Sequence, residues 1–349
     1  VIANGSMPLL DSTFLYVSGV TSGGYEGCAA ILRQGEQPLL IVSALEEQSA
    51  RSAPDCDVQS FETQEKRKEI LKLALGDSRR VGVNAPAIVK AKADELETLC
   101  PGLEVVDVSG AISKARLVKD ADEIERVRAA CRLTSEVAAA IPDLLREGMT
   151  EAELAGEIDH AMYQGGGKAA FDTIVCFGEN GAEPHYTPGD VPLAKGDMIL
   201  VDFGARLQRY CADITRMYVF GQASAEQRAM FDVVREAQRY ALGLTKAGAG
   251  GRDVHLKVRE HIDATAFKDR FIHGTGHSIG LDVHDGPGIG ESSEITLPAG
   301  MVVTVEPGVY VPGVGGVRIE DTVHVTRNGP EVLTADIPKE VEEVEALRG

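Results

Sequence analysis

The sequence predicts two domains, a smaller α/β domain followed by a larger α+β domain, and three observations carry this prediction. The first ~115 residues alternate short apolar runs typical of strands with helical patterns. Helix-start patterns follow at residues 119–122 and at Thr150. From about residue 171, short apolar runs and glycine-rich turns dominate. We therefore expect an amino-terminal domain at 1–115 and a second domain at 116–349.

Composition limits the classes of function. At 349 residues the chain is long enough for two domains with sizeable cores. The formal net charge of −19 argues against nucleic acid and anionic membranes as partners. We find no run of about 18 apolar residues and no leading signal segment, so we expect a cytoplasmic protein without a transmembrane helix. Six scattered cysteines without a C-x-x-C pair fit free thiols. A chain beginning with Val1 fits a missing or processed native start.

In the first domain, the apolar runs predict strands at 14–20, 28–32, 38–42, 80–83 and 103–108. The segment 33–36, Arg-Gln-Gly-Glu, predicts a hairpin turn between the second and third of these strands. Helical patterns cover 45–53 and 62–75. The domain shows no catalytic cluster, and no histidine precedes His160.

In the second domain, carboxylates at 120 and 122 predict the start of a helix with apolar residues at helical spacing. Thr150-x-x-Glu153 is a capping box for the next helix, which three glycines at 165–167 end. Segments 198–204 and 211–220 predict a hairpin pair. Ser224-x-x-Gln227 caps a helix to about residue 246, and another helix covers 252–264. Strands and glycine-rich turns fill 271–325.

Four acidic residues and one histidine stand out, because most of these acids interrupt or end apolar strands. An ionised carboxylate in a strand that otherwise belongs to the core is costly unless something compensates its charge. Two divalent metal ions would compensate four carboxylates and leave a bridging hydroxide as the excess anion. Hard oxygen ligands with one imidazole suit Mn, Co, Fe or Zn. The five residues are Asp202, Asp213, His277, Glu306 and Glu320.

Strand alternation adds two expectations. Asp213 and Thr215 share one face of their strand, so the Thr215 hydroxyl is expected to hydrogen-bond a metal-binding carboxylate. Arg318 and Glu320 likewise share a face, with aliphatic residues on the other. For any one acid alone, a capping role or a salt bridge is the more common explanation. Five residues of the right type together favour a metal site.

The segment 273–285 contains three histidines separated by glycines, and glycines let the backbone approach a bound group closely. Nucleotide binding is disfavoured here, because neither this segment nor 165–168 matches the dinucleotide or phosphate-loop pattern. His185 taken alone reads as a loop histidine. The histidines on predicted helices read as structural or exposed: His160, His255 and His261.

Taken together, five segments resemble the proline-specific metallopeptidases of the pita-bread fold, namely Xaa-Pro dipeptidases (prolidases) and Xaa-Pro aminopeptidases (aminopeptidase P). These segments are 201–205, 212–216, 273–285, 304–308 and 317–321. The first ~115 residues resemble, by their layout, the family's creatinase-like, non-catalytic amino-terminal α/β domain. The resemblance therefore implies an α+β pita-bread catalytic domain behind that smaller domain.

The resemblance also implies roles. Asp202 and Asp213 bind one ion, Asp213 and Glu320 bridge the two ions, and His277 and Glu306 are the remaining direct ligands of the other ion. A hydroxide that bridges two divalent metals attacks the carbonyl group of the peptide bond preceding proline, while Glu306 shuttles the proton. The metals are Mn by preference and otherwise Co, Zn or Fe. The substrate is a small Xaa-Pro peptide, and a homodimer is expected. The other implied catalytic residues are His185, His273, His284 and Arg318.

Alternatives remain open at this point. A short chain without an extra domain slightly favours a dipeptidase, whereas the segment 283–285 looks more like an aminopeptidase. A second class comprises other enzymes on this scaffold, a creatine C–N hydrolase or a sulfonium lyase. The complete ligand set argues against the former, and only a substrate test would exclude the latter. The third is a non-catalytic peptide- or histone-binding module, and such relatives have lost ligands.

Overall fold

A computed structural model describes residues 1–340 and 345 of the chain. The protein divides into two compact units, Val1–Arg116 and Leu117–Gly349. Both units mix helices and strands. In the part of the chain that the structure describes, no helix is long and apolar enough to cross a membrane.

The strands of the first unit are β1 (Ile2–Ala3), β2 (Ala29–Ile31), β3 (Leu39–Ser43), β4 (Asp57–Phe61), β5 (Arg80–Val83) and β6 (Glu104–Asp107). Strands β1 to β4 form a four-stranded sheet in the order β1-β2-β3-β4, in which only the β3-β4 pairing is parallel. Strands β5 and β6 form a separate parallel pair. The unit also contains five helices. Its helices are α1 (Ser12–Ser18), α2 (Glu47–Ala50), α3 (Gln64–Leu75), α4 (Lys90–Leu99) and α5 (Ser109–Leu117).

The strand expected at 14–20 is wrong, because these residues form helix α1. The Asp11 side chain caps the helix by accepting from the backbone N–H of Thr13 at 2.9 Å. Gly19, with φ +65°, ends it in the left-handed conformation that glycine adopts without strain. The β-branched and aromatic residues between these caps favoured a strand, and the two capping residues override that preference.

Other expectations for the first unit hold in part. The hairpin turn at 33–36 is confirmed, since β2 and β3 pair antiparallel and the N–H of Glu36 donates to the carbonyl of Arg33 at 3.3 Å. The helix expected at 45–53 is only the four residues of α2. Strand β4 was not predicted; its exposed positions alternate with partly buried ones, so it lacks a long apolar run.

Over residues 117–340, the second unit contains four helices, a short 3₁₀ helix (Gly178–Ala182) and eleven strands. The helices are α6 (Ala121–Leu144), α7 (Glu151–Gln164), α8 (Ala225–Leu244) and α9 (Gly251–Asp263). The first six strands are β7 (Lys168–Ala169), β8 (Ile174–Phe177), β9 (Met198–Phe203), β10 (Ala205–Leu207), β11 (Tyr210–Cys211) and β12 (Ile214–Val219). The remaining five are β13 (Val302–Val305), β14 (Gly308–Val311), β15 (Gly315–Arg318), β16 (Asp321–Thr326) and β17 (Gly329–Val332).

Three helices of this unit begin at capping boxes, in which the cap side chain and the third helical residue satisfy each other's backbone N–H groups. The caps expected at Thr150 and Ser224 are confirmed, and Asp120 with Glu123 forms the third. These boxes explain why the helix starts could be predicted from sequence to within a residue or two.

The sheet β12-β9-β8 contains Asp202 in β9, and Asp213 directly precedes β12. Strands β9 and β12 pair antiparallel with Thr215 opposite Asp202, which confirms the predicted pairing of these segments. Their connection is longer than a simple turn, because β10 and β11 form a sheet of their own with β7. Two buried apolar clusters support this arrangement, one of which includes Val303, Val317 and Val323.

Candidate metal centre

A cavity of about 460 Å³ lies in the second unit, bordered by the ends of these strands and their loops. All nine side chains singled out in the sequence line it: His185, Asp202, Asp213, His273, His277, His284, Glu306, Arg318 and Glu320. Phe171, Ile174, Pro184 and Val283 contribute apolar walls. A strongly polar floor with apolar walls is the usual composition of a small-molecule site.

Asp213 precedes β12 and is held by the hydroxyl of Thr322 in β16. The backbone N–H of Asp213 donates to this hydroxyl at 3.2 Å, and the hydroxyl donates to the Asp213 carbonyl at 2.7 Å. A strand that is distant in sequence therefore fixes the backbone of Asp213. This arrangement leaves its carboxylate oxygens to face the cavity.

His277 and Glu306 are positioned by pairing of residues 275–277 with 304–306. The backbone N–H of Glu306 donates to the Thr275 carbonyl, and that of Thr304 donates to the His277 carbonyl, each at 2.8 Å. The Thr304 hydroxyl accepts from the His277 N–H at 2.9 Å and donates to Glu306 Oε1 at 3.2 Å. Gly276 is required here, because a Cβ would lie 1.9 Å from the Thr304 carbonyl oxygen.

The possible ligand atoms of Asp213, His277 and Glu320 all lie within 4.8 Å of one another. His277 Nε2 is 3.4 Å from Asp213 Oδ2 and 3.6 Å from Glu306 Oε1. One imidazole nitrogen surrounded by carboxylate oxygens at these distances is compatible with a shared divalent cation.

Three of the site carboxylates each have a buried oxygen that no hydrogen bond from the described part of the chain satisfies, and burial raises their pKa values. Asp202 Oδ1, Asp213 Oδ1 and Glu320 Oε1 are buried oxygens without a hydrogen-bond partner among the described residues. Burial, and then neighbouring carboxylates, raise the pKa of Asp213 and of Glu320 well above their ordinary values. Burial also raises the pKa of Asp202, against the opposing effect of Arg318. Divalent cations would satisfy these oxygens and favour the ionised carboxylates, so the donor set fits the metal ions that it was expected to hold.

Arg318 and Thr215 connect two of the carboxylates. The Arg318 guanidinium pairs with Asp202 Oδ2, and its Nε donates to the Thr215 hydroxyl at 2.9 Å. That hydroxyl donates to Glu320 Oε2 at 2.7 Å, the type of contact expected for Thr215. Because the Arg318 side chain is only 3% exposed and its donors point at these neighbours, it steadies the carboxylates rather than reaching into solvent.

Tyr310 is a site residue that the sequence reading missed. Its hydroxyl accepts from Arg318 at 2.8 Å and lies 2.8 Å from His273 Nε2. His273 Nδ1 donates to the Gly274 carbonyl, so Nε2 accepts from the Tyr310 O–H when the ring is neutral. Burial lowers the pKa of His273 and raises that of Tyr310 to about 12, which favours these neutral forms. The available indication was a lone aromatic residue four positions after Glu306.

His185 and His284 differ from His273 because both are exposed at the cavity. The His284 ring packs edge-on against His277, with ring centres 4.2 Å apart. Burial, and then the nearby His277, lower the pKa of His284, so its neutral form prevails near neutral pH. These two rings can offer N–H groups to a bound molecule.

Behind the site, Asp321 is fully buried and accepts from Arg216, Thr334 and Lys339 at 2.7–2.8 Å. Arg216 also donates to the carbonyl oxygens of Thr215 and Glu320. This buried charge network fixes the backbone on both sides of the Thr215–Glu320 contact. Sequence reading missed it because its members are far apart along the chain.

Comparisons with known proteins agree with this geometry. Residues 125–327 match metallopeptidase family M24, and residues 10–118 match the creatinase/prolidase amino-terminal domain. An Xaa-Pro dipeptidase of Pyrococcus furiosus is 34% identical over 322 residues, which is 91% of this chain and 90% of that protein.

Solved structures show the same likeness. The crystal structure of an X-Pro aminopeptidase from Thermotoga maritima has a TM-score of 0.91 at 31% identity, covering 97% of this chain and 96% of that one. The prolidase of Pyrococcus horikoshii has a TM-score of 0.86 at 32% identity, covering 94% and 92% respectively.

Proposed function

Because the chain belongs to metallopeptidase family M24, we propose that it hydrolyses the peptide bond preceding proline in Xaa-Pro dipeptides or short peptides. The predicted fold, a pita-bread catalytic domain with a creatinase-like amino-terminal domain, is confirmed by both family matches. The observation that supports the proposal most strongly is the group of buried carboxylates whose oxygens lack hydrogen-bond partners among the described residues, next to the cavity histidines. The dipeptidase of P. furiosus and the aminopeptidase of T. maritima are similar enough to support either activity, and we favour the dipeptidase slightly.

We assign the metal ligands as Asp202, Asp213, His277, Glu306 and Glu320, with Asp213 and Glu320 shared between two ions. Manganese is our first choice, and Co, Zn or Fe would suit the same donors. When bound, divalent ions would supply positive charge that acidifies water and polarises a carbonyl group.

Glu306 is placed to move a proton. Its side chain is 17% exposed, so it reaches the cavity, and Thr304 holds one of its oxygens at 3.2 Å. The other oxygen can accept a proton from water and then donate it to the departing imino nitrogen of proline. The proline amide has no N–H, so recognition must come from its carbonyl oxygen and the ring.

The cavity histidines and Arg318 complete the proposed chemistry. His185 and His284 would donate hydrogen bonds to the developing oxyanion and to the leaving group. His273 is held at both ring nitrogens, by Gly274 and by Tyr310, and therefore lines the cavity in one orientation. Arg318 orients Asp202 and opposes the effect of burial on its pKa.

The wider setting follows from composition and family. We propose a cytoplasmic enzyme, since the six cysteines are free thiols. We also propose that the enzyme acts on small peptides rather than on nucleic acid or membranes, since the net charge is −19. A homodimer is proposed from the resemblance to the family alone.

The test is proline release from Leu-Pro by the manganese-loaded protein, with Leu-Pro-Gly in parallel and Leu-Ala as the matched peptide without proline. Cleavage of Leu-Pro alone supports a dipeptidase, and preference for Leu-Pro-Gly supports an aminopeptidase. Equal cleavage of Leu-Ala, or cleavage of no peptide by the metal-loaded protein, would contradict the proposal and favour another reaction on this scaffold.

A further inference from the structure

Glu151 is a buried carboxylate that the proposed chemistry does not use. It is the first residue of α7 and is 0% exposed. The groups that contact it are neutral: Oε1 accepts from the backbone N–H of Phe177 at 2.8 Å and from Asn180 Nδ2 at 2.9 Å, and Oε2 accepts from the N–H of Gly189 at 3.1 Å. The positive end of the α7 dipole further favours a negative charge here.

These contacts close a loop that contains a cavity histidine. Phe177 ends β8, Gly189 pairs with the start of α7, and residues 178–188 between them form what we name the His185 loop. One carboxylate therefore bonds both ends of this loop. Inside it, Gly181 packs so closely on Gly316 that a Cβ would lie 2.9 Å from the Gly316 nitrogen.

The second half of the loop is tied down next to His185 itself. The Tyr186 hydroxyl accepts from Asn180 Nδ2 at 2.9 Å, and the same amide nitrogen donates to Glu151 Oε1 at 2.9 Å. Desolvation, and then the nearby Glu151, raise the pKa of Tyr186 to about 12, so the hydroxyl stays protonated at neutral pH. The Tyr186 ring also packs on the apolar core of the unit. His185 is exposed at the cavity, and its neighbour in sequence is the anchored residue.

We infer that Glu151 is a positioning residue that sets the place of His185 in the cavity, acting through Tyr186 and the two ends of the His185 loop. This inference rests on the proposed function, because it assigns His185 a part in turnover. An ordinary buried capping carboxylate would stabilise the fold without this connection to a cavity side chain. The two explanations differ in what happens when His185 is already absent.

The experiment uses the full-length manganese-loaded protein and measures kcat, KM, metal content and thermal midpoint. The variants are Glu151→Gln, His185→Ala and their combination. The glutamine keeps the shape, but its NH₂ group cannot accept a hydrogen bond, so an N–H at one loop end loses its acceptor. We expect Glu151→Gln to lower kcat by about tenfold with unchanged metal content, part of what an acid–base group contributes. The double variant should match His185→Ala within about twofold, since residues acting as one unit are not additive.

Glu123→Gln is the matched control. Glu123 also lies in the first turn of a helix and is buried near a tyrosine, accepting from the Tyr210 hydroxyl at 2.8 Å, but it does not line the cavity. It should lower the thermal midpoint without lowering kcat. Tyr186→Phe removes only the hydroxyl and should reduce kcat in the same direction as Glu151→Gln. Multiplied losses in the double variant, or an equal kcat loss in Glu123→Gln, would overturn the inference.

A second readout does not depend on activity. In zinc-loaded protein carrying ¹⁵N-labelled histidine, in which no paramagnetic ion broadens the signals, the His185 imidazole resonances are assigned by their absence from His185→Ala. Glu151→Gln should shift or broaden them, whereas Glu123→Gln should not. If the unmodified protein cleaves no Xaa-Pro peptide, the proposed function fails, and unchanged His185 resonances would separately overturn the positioning role.

Discussion

The Nε2 atom of His277 lies 3.4 Å from the Oδ2 atom of Asp213, although the two residues belong to distant segments of the chain. Asp213 is held by Thr322 and His277 by Thr304, so hydroxyl groups of two strands fix the backbones of both residues. A nitrogen and an oxygen at this distance can share a cation without rearrangement of the backbone. The relationship distinguishes His277 from the neighbouring His284.

We predict that His277→Ala loses bound metal, whereas His284→Ala retains it and loses turnover. The His284 ring faces the cavity and packs on His277, and it is not one of the three residues whose ligand atoms converge. Metal content by mass spectrometry and peptide hydrolysis should be measured on the same preparations. Loss of metal from His284→Ala would mean that the roles of the two histidines are exchanged.

Tyr310→Phe should lower kcat by about tenfold while metal content stays unchanged, because His273 Nε2 and one Arg318 N–H lose their common partner. Steady-state kinetics on Leu-Pro measures this. Tyr218→Phe is the matched control, since Tyr218 is also buried but donates to the Ala138 carbonyl, outside the cavity. An unchanged kcat in Tyr310→Phe, or equal losses in both variants, would contradict the role of this hydroxyl.

Lys119→Met should lower the free energy of unfolding by about 3–5 kcal/mol, since it removes one partner of a buried ion pair. The Lys119 and Asp285 side chains are 1% and 3% exposed and lie 3.1 Å apart. Adding Asp285→Asn should restore part of the loss. Denaturant unfolding provides the measurement.

The control for this pair is Lys90→Met, which removes the exposed pair with Asp94. Water screens that pair, so no change in unfolding is expected. If Lys119→Met behaved like Lys90→Met, the buried pair would not be part of the folded protein.

The ion pairs around Glu331 predict a pH-dependent contribution to stability. Its hydrogen bond to Arg128, and then its bond to His324, lower the Glu331 pKa from 4.5 to about 2. Because the folded pKa is depressed, this stabilisation is complete above pH 4.5 and disappears as the pH falls towards 2. The side chain is 39% exposed, so solvent limits the effect to at most about 1 kcal/mol.

Glu331→Gln should therefore reduce the unfolding midpoint at pH 7 and have a smaller effect at pH 3. Glu125→Gln removes the more exposed acidic partner of Arg128 and should reduce the midpoint less at pH 7. A Glu331→Gln penalty that grows towards acid would contradict the assigned sign.

The sequence was most informative where local chemistry and local structure coincide. Asp202 lies near the end of apolar strand β9 and Glu306 directly follows apolar strand β13, so the free-energy cost of burying these carboxylates could be predicted from the sequence. Helix starts at Thr150 and Ser224 were equally visible, because a capping box lies within four consecutive residues. These features predict helix starts and candidate metal ligands, whereas the pita-bread fold and the cavity histidines are what the resemblance to the family implies.

The remaining features depend on contacts between distant segments. The partners of Tyr310 and the loop ends bound by Glu151 are set by tertiary packing, which no local pattern encodes. The sequence of helix α1 predicts a strand because its β-branched and aromatic residues favour strands, whereas the helix-capping role of Asp11 is a weaker local signal. The exposed strand β4 lacked an apolar run altogether.

The proposed metal centre is tested most directly by measuring the metal stoichiometry and peptide hydrolysis of Asp213→Asn after dialysis against manganese. Burial raises the pKa of Asp213 well above its ordinary value, so a neutral asparagine should be tolerated by the fold. Asp11→Asn is the control, because Asp11 is also buried, lies in the first unit, and caps a helix that asparagine caps equally well.

We expect two ions per chain in the unmodified protein and in Asp11→Asn. We expect Asp213→Asn to lose at least one ion and nearly all activity on Leu-Pro. Unchanged metal content and turnover in Asp213→Asn would contradict the assignment of this carboxylate as a shared metal ligand.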